Sequence, residues 1–173
     1  VTQHLIDRYA PVRILFTGVA GAINPDLDIG DVIVAEDTLQ YDMDVRPLGF
    51  KLGEIPHTAY RLIPCDRELV ERALETALPE GRMRRGRVLT GDRFVNRGAY
   101  QQMGYLRSEL EGDAVEMEGA SVALVALVNE LPVAVIRTIS DNPEHNRRVD
   151  FRRFLPRASE NSALVVSEIL RRS

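Results

Sequence analysis

Cysteine and histidine are scarce in this chain, and their scarcity excludes two kinds of stabilising site. The 173 residues include one cysteine, Cys65, and three widely separated histidines, His4, His57 and His145. A single cysteine excludes an intrachain disulfide framework and favours a reducing, cytoplasmic compartment. Because no Cys/His spacing indicates a zinc site, we expect neither a metal nor a cofactor.

Long apolar runs and an excess of positive charge are also missing. No apolar run reaches the length of a membrane span. The net charge of −4 argues against a nucleic-acid-binding face. Two basic clusters, at 82–87 and 146–153, adjoin or include acidic residues, so we interpret them as solvated surface or small-anion contacts. We therefore expect no membrane and no nucleic-acid partner, but a small-molecule ligand.

What is present is the composition of one soluble-type globular domain over 1–173, with 45% hydrophobic and 28% charged residues. Alternating β-branched and amphipathic segments indicate an α/β fold with a mixed, mainly parallel sheet. Asp66 and Asn96 precede two of the helical patterns and are predicted N-caps. Strands are predicted over 12–18, 30–45, 86–92, 114–117 and 131–141; helices over 66–78, 96–110, 118–130 and 150–172; an extended loop over 46–64.

Four short motifs fall at the ends of predicted strands. They are "TGVAGA" (17–22), "TGDRFV" (90–95), "VEMEGA" (115–120) and "RTISD" (137–141). Ligands of α/β sheets bind at the carboxyl ends of strands, so these motifs predict one shared pocket. The glycines of the first motif would let the backbone approach a ligand, although a tight turn explains them equally well.

Three carboxylates in these motifs could carry chemistry. Glu118 lies at the predicted N-terminus of an apolar helix, where it could cap the helix or accept two hydrogen bonds from a sugar diol. Glu116 requires a partner if it is buried, and a structural pairing with Arg137 is one possibility. Asp141 ends an apolar strand and could be a general acid or a turn residue.

The order of "TGVAGAINPDLDIGDVIVA", "GDRFV", "AVEMEGAS" and "VIRTISD" resembles the purine nucleoside phosphorylase/uridine phosphorylase superfamily. Within it, the chain is most similar to the 5′-methylthioadenosine/S-adenosylhomocysteine nucleosidases. The resemblance runs from about residue 10 to the end. It implies a nucleoside phosphorylase-like, three-layer αβα fold with a central twisted sheet, a purine nucleoside substrate and a homodimer.

The resemblance also implies roles for the acidic motifs. Asp141 would protonate N7 of the departing purine, and Ser140 would orient its carboxyl group. Glu118 would hold the ribose 2′- and 3′-hydroxyls. Met117 would pack against the sugar, with Glu116 at its edge.

The remaining pocket positions follow from the same resemblance. Phe94 would stack on the base, and the backbone of Val95 would read its edge. Phe151 would close over the base. Ala20 and Gly21 would line the sugar side.

Two features of the resemblance favour hydrolysis over phosphorolysis. Phosphorylases place an arginine where this chain has Phe16, and an apolar ring cannot hold a phosphate dianion. The second feature is the loop with Leu48, Phe50 and Pro56, which would reach into the pocket of a partner subunit, as in the nucleosidases. The resemblance also implies that Arg137 lies close behind the acidic residues.

Two departures from the family pattern lead to alternative functions. Val19 stands where the nucleosidases usually have a small polar residue. The family's N-terminal strands, which carry the water-activating glutamate, match nothing in this chain, so an exposed sheet edge is expected. A phosphate-dependent phosphorylase, a futalosine-type nucleosidase and an inactive nucleoside-binding module are therefore the alternatives.

Overall fold

The computed structural model describes residues 1–142 and 151–171, with Arg97 and residues 151–153 described by their backbone alone. Strands and helices alternate along most of the chain. The strands are β1 (Ile14–Ala22), β2 (Val32–Gln40), β3 (Ile63–Pro64), β4 (Met83–Thr90), β5 (Ala114–Glu116) and β6 (Val133–Asp141). The helices are α1 (Thr2–Tyr9), α2 (Arg67–Leu74), α3 (Arg97–Gln102), α4 (Tyr105–Ser108), α5 (Gly119–Val128) and α6 (Phe151–Arg171).

The sheet is mixed, as predicted, but it closes on itself. Its strand order is β3-β2-β4-β5-β1-β6, and β2 also pairs with β6, which completes a five-stranded, barrel-like ring with β3 outside it. The β1–β6, β2–β4 and β4–β5 pairings are parallel, whereas β1–β5, β2–β6 and β2–β3 are antiparallel. The prediction of a mixed, mostly parallel twisted sheet was therefore correct in its mixed character but did not include the closure into a ring.

The length and the bulge of β2 explain the closure. Residues 32–34 pair with β6, whereas Asp37 and Thr38 pair with β3. The register of β2 against β4 shifts between Ala35 and Asp37, and such a bulge bends a strand and increases its twist. The same edge of β2 can therefore pair with β6 along its first residues and with β3 further along.

Two local predictions about backbone structure were wrong. The motif "TGVAGA" is part of β1, which continues to Ala22 beside β6, so it is not a tight turn. The predicted helix over 96–110 is divided into α3 and α4, because Met103 leaves the helical conformation. The two predicted N-caps are confirmed. A carboxylate oxygen of Asp66 accepts from the backbone N–H of Leu69. The amide oxygen of Asn96 accepts from the backbone N–H of Ala99.

Two hydrophobic clusters hold the ring in place. The larger one joins the strands to the buried faces of α2, α5 and α6, through residues such as Leu69, Ala123 and Val165. The smaller one packs Leu39 and Val115 against the segment that contains α3 and α4. In the part of the chain that the structure describes, no helix combines the length and apolarity that a membrane crossing would need.

Candidate active site

A cavity of about 250 Å³ lies where the four motifs meet. Nine of the predicted site residues line it, and three further residues of the same motifs or strands complete it: Val19, Arg93 and Val115. The nine are Ala20, Gly21, Phe94, Val95, Glu116, Met117, Glu118, Ser140 and Asp141. Arg93 was missed because its motif was interpreted through its aromatic and apolar members alone.

A buried ion pair between Glu116 and Arg137 lies beside this cavity. Nη2 of Arg137 is 2.7 Å from Oε2 of Glu116, and Nε donates to the same oxygen at 3.2 Å. The two side chains are only 3% and 2% exposed. The Glu116 carboxylate also accepts from the Gly119 backbone N–H at 2.9 Å and from the Thr90 hydroxyl. A carboxylate with this many donors can be buried without leaving an unpaired charge.

The Arg137 guanidinium group is also held by backbone carbonyls of two neighbouring strands. Arg137 of β6 is the register partner of Gly18 in β1, and a Cβ on Gly18 would lie in ordinary van der Waals contact with it, 3.4 Å from Nη1. Nη1 donates to the carbonyl oxygens of Phe16 in β1 and of Ile136 in β6, each at 3.0 Å. The ring centroid of Phe16 lies 4.3 Å from the guanidinium carbon, which is cation–π geometry.

Glu116 performs the capping function that the sequence allowed for Glu118. Glu118 occupies the N-cap position of α5, but its side chain makes no capping hydrogen bond. The free N–H of Gly119 points to Glu116 instead. No described group donates a hydrogen bond to the Glu118 carboxylate, which lines the cavity. Both of its oxygens are therefore available to a ligand.

Asp141 and Ser140 are set by a bulge at the end of β6. The register against β1 shifts between Ala20 and Gly21, so that Ser140 becomes the extra residue and Asp141 lies beside Gly21. The Ser140 hydroxyl donates to Oδ1 of Asp141 at 2.8 Å. A Cβ on Gly21 would lie 3.2 Å from Oδ2, so the glycine makes room for the carboxyl group.

The other end of the cavity is formed by the loop after β4. Phe94 is 70% exposed among the described residues and lines the cavity, whereas Val95 is buried in the smaller hydrophobic cluster. An exposed aromatic face beside a buried backbone is a suitable surface for a planar, heteroaromatic ligand.

A family model described as "Phosphorylase superfamily" matches residues 1–171. The chain belongs to this superfamily. It is 38% identical over 160 residues to the aminodeoxyfutalosine nucleosidase of Campylobacter jejuni. The aligned region covers 92% of this chain and 69% of that protein. It is 34% identical over 172 residues to the 5′-methylthioadenosine/S-adenosylhomocysteine nucleosidase of Shewanella loihica, covering 98% and 74%.

Solved structures support the same assignment. The crystal structure of the C. jejuni 5′-methylthioadenosine/S-adenosylhomocysteine nucleosidase superposes with a TM-score of 0.86 at 35% identity, over 96% of this chain and 72% of the other. These relatives are nucleosidases, and this superfamily member is an enzyme of that N-glycosyl hydrolase class.

Leu48, Phe50 and Pro56 do not line the cavity of their own chain. Leu48 is 74% exposed at the end of the 3-10 turn Arg46–Leu48. The Phe50 ring contacts His57 edge-on, with the ring centroids 6.1 Å apart, and Pro56 is half-buried. Phe151 begins α6, but its side chain lies outside the described residues.

Cys65 is outside the cavity and is unsuited to nucleophilic chemistry. Burial raises the pKa of its thiol to about 12, so the reactive thiolate is scarce at neutral pH. Within residues 1–142 and 151–171, no three His, Cys, Asp or Glu side chains are grouped as a metal ion would require.

The ion pair predicts a strong and selective effect of Arg137→Met on stability. Removing the cation leaves the Glu116 carboxylate buried without its charge partner, which should cost about 3–5 kcal/mol in the free energy of unfolding. Urea unfolding followed by circular dichroism measures this loss. The double variant Glu116→Gln/Arg137→Met should recover part of it.

Arg46→Met is the matched control, because Arg46 pairs with Asp44 on the exposed surface. Its urea midpoint should equal that of the unsubstituted chain. A loss below about 1 kcal/mol for Arg137→Met would show that the pair does not hold this region together.

Proposed function

We propose that this enzyme hydrolyses the N-glycosidic bond of 5′-methylthioadenosine and/or S-adenosylhomocysteine, releasing adenine and the thioribose product. The observation on which this proposal rests is that two carboxylates with different hydrogen-bonding environments line one cavity. Asp141 is oriented by Ser140, and Glu118 has no protein partner among the described residues. Relatives named as nucleosidases for these substrates support the choice.

Asp141 acts as the general acid in this proposal. A purine anion is a poor leaving group, and protonation of N7 lets the base depart neutral. The hydrogen bond from Ser140 fixes Oδ1, which leaves Oδ2 to carry the proton toward the base. This resembles glycoside hydrolysis, in which an acid assists departure while positive charge develops on the sugar. Such assistance contributes about 10²–10⁴ in rate.

Glu118 binds the sugar in this proposal. Its two carboxylate oxygens match the vicinal 2′- and 3′-hydroxyls of ribose, each of which can donate one hydrogen bond. Its negative charge also stabilises the oxocarbenium-like sugar of the transition state. Met117, which is 40% exposed at the cavity, provides an apolar surface beneath the ribose, and Ala20 and Gly21 leave it space.

The environment of Arg137 argues against this residue as a phosphate ligand. Its guanidinium group is buried behind Glu116, and it donates four hydrogen bonds to Glu116 and to the Phe16 and Ile136 carbonyls. The Phe16 ring packs against the same group. A cation committed in this way has little capacity left for a phosphate dianion.

None of the carboxylates that line the described cavity is left to activate water. Three carboxylates line the cavity, and Glu116 is committed to Arg137, while Glu118 and Asp141 have other roles. This observation favours a second candidate function, an inactive nucleoside-binding module. The substrate also has an alternative, since nucleosidases for aminodeoxyfutalosine are similarly related to the chain.

The proposal includes a homodimer in the cytoplasm. Leu48, Phe50 and Pro56 do not line the cavity of their own chain, and exposed apolar side chains such as Leu48 are suitable for an interface. In a dimer they would line the partner's pocket near the 5′-substituent. The single cysteine, which is buried, supports the reducing compartment.

Release of adenine without phosphate is the expected activity. Chromatography should detect adenine from 5′-methylthioadenosine or S-adenosylhomocysteine, at the same rate with and without phosphate, and little base from inosine. Strict dependence on phosphate would identify a phosphorylase. Tight binding of adenosine analogues without any base release would identify the inactive module.

Asp141→Asn should abolish base release with a small effect on ligand binding. The amide keeps the shape of the side chain but cannot donate the acidic proton, so kcat should fall by about 10²–10⁴. Asp7→Asn, on the exposed face of α1, is the control and should retain full activity. Unchanged turnover in Asp141→Asn would remove this residue from the role of acid.

Glu118→Gln should separate sugar binding from base binding. Because charge-assisted hydrogen bonds contribute about 1.5–3 kcal/mol, the Kd of 5′-methylthioadenosine should rise about tenfold or more, while the Kd of free adenine stays constant. The melting temperature should not change, because the side chain caps nothing. Glu68→Gln on α2 is the control, and an equal rise in both Kd values would contradict the ribose role.

A further inference from the structure

The loop that carries Phe94 and Val95 rests on the end of β2, and we propose that Tyr41 is a positioning residue for the purine base. Tyr41 does not line the cavity, so it would act through the backbone of this loop. The inference rests on the proposed function, because it concerns the base end of the same site.

Two residues that follow β2 hold the loop by hydrogen bonds. The Tyr41 hydroxyl donates to the carbonyl oxygen of Arg93 at 3.1 Å, and its backbone N–H donates to the carbonyl of Thr90 at 2.9 Å. Next to it, Oδ2 of Asp42 accepts from the backbone N–H of Asp92 at 2.7 Å. The backbone is therefore fixed at Thr90, Asp92 and Arg93, immediately before Phe94.

The Tyr41 ring also determines how closely the loop approaches β2. A Cβ on Gly91 would lie 2.5 Å from two ring carbons of Tyr41, which is too close for any side chain. Glycine at this position lets the backbone lie directly against the ring. The ring is 2% exposed and belongs to the same hydrophobic cluster as Val95.

The hydroxyl of Tyr41 remains a donor at every pH at which the enzyme would work. Burial, followed by the charge of Asp42, raises its pKa above the ordinary value for tyrosine. The folded protein therefore keeps the phenol protonated at neutral pH, so the hydrogen bond to Arg93 does not titrate there.

These contacts prepare the base site before a ligand arrives. Phe94 is 70% exposed, so the described side chains cover little of it. Its position depends on the backbone that Tyr41 and Asp42 hold from beneath. Binding that starts from a fixed loop avoids the entropic cost of ordering it, which increases affinity for the base.

Tyr41→Phe tests this inference, because it removes the hydroxyl and keeps the ring against Gly91. Calorimetry should show that the Kd of adenine rises about threefold to tenfold, the range expected for one neutral hydrogen bond. Hydrogen exchange of the backbone at 91–95 should accelerate, while exchange at 133–141 in β6 stays constant. A role limited to global stability would change both segments.

Tyr60→Phe is the matched control, since the Tyr60 hydroxyl makes no hydrogen bond with the described residues, and it should change neither readout. An adenine Kd within twofold of the unsubstituted value in Tyr41→Phe would overturn the inference and leave the proposed function standing. Failure of the unsubstituted chain to bind adenine at all would overturn both.

Discussion

The buried pair of Glu116 and Arg137 is the interaction on which the site depends. Two charges with almost no access to water are stable only when each is paired and hydrogen-bonded. This pair connects β5 to β6 across β1, where Arg137 also donates to the Phe16 carbonyl oxygen. The Thr90 hydroxyl brings β4 into the same network. Four strands of the ring are thus tied together directly behind the cavity.

The pair also decides what the neighbouring acid can do. Glu116 accepts from the N-terminal N–H of α5, so the helix is capped without Glu118. Glu118, two residues further on, lines the cavity and accepts no hydrogen bond from the described residues. One glutamate therefore holds the structure, and the other is the one that we propose binds the ribose. The distinction arises from Arg137, which is 21 residues away from Glu116 in the chain.

The sequence identified most of the cavity because its residues are concentrated in four short motifs at strand ends. It offered the pairing of Glu116 with Arg137 as one possibility only, because that pairing depends on the tertiary position of Arg137. The closed ring was equally inaccessible, because it depends on an antiparallel pairing of β2 with β6 that no local pattern records. The glycines of "TGVAGA" suggested a turn, yet they lie in β1, where Gly21 makes room for Asp141.

In the proposed mechanism, Asp141 meets N7 of a purine whose ring lies against Phe94. A crystal structure of the chain with bound adenine would show whether the base lies in this way. One carboxyl oxygen of Asp141 should lie within about 3 Å of N7, with the base edge facing the backbone of Val95. Adenine bound elsewhere, or bound in the cavity with N7 turned away from Asp141, would contradict it.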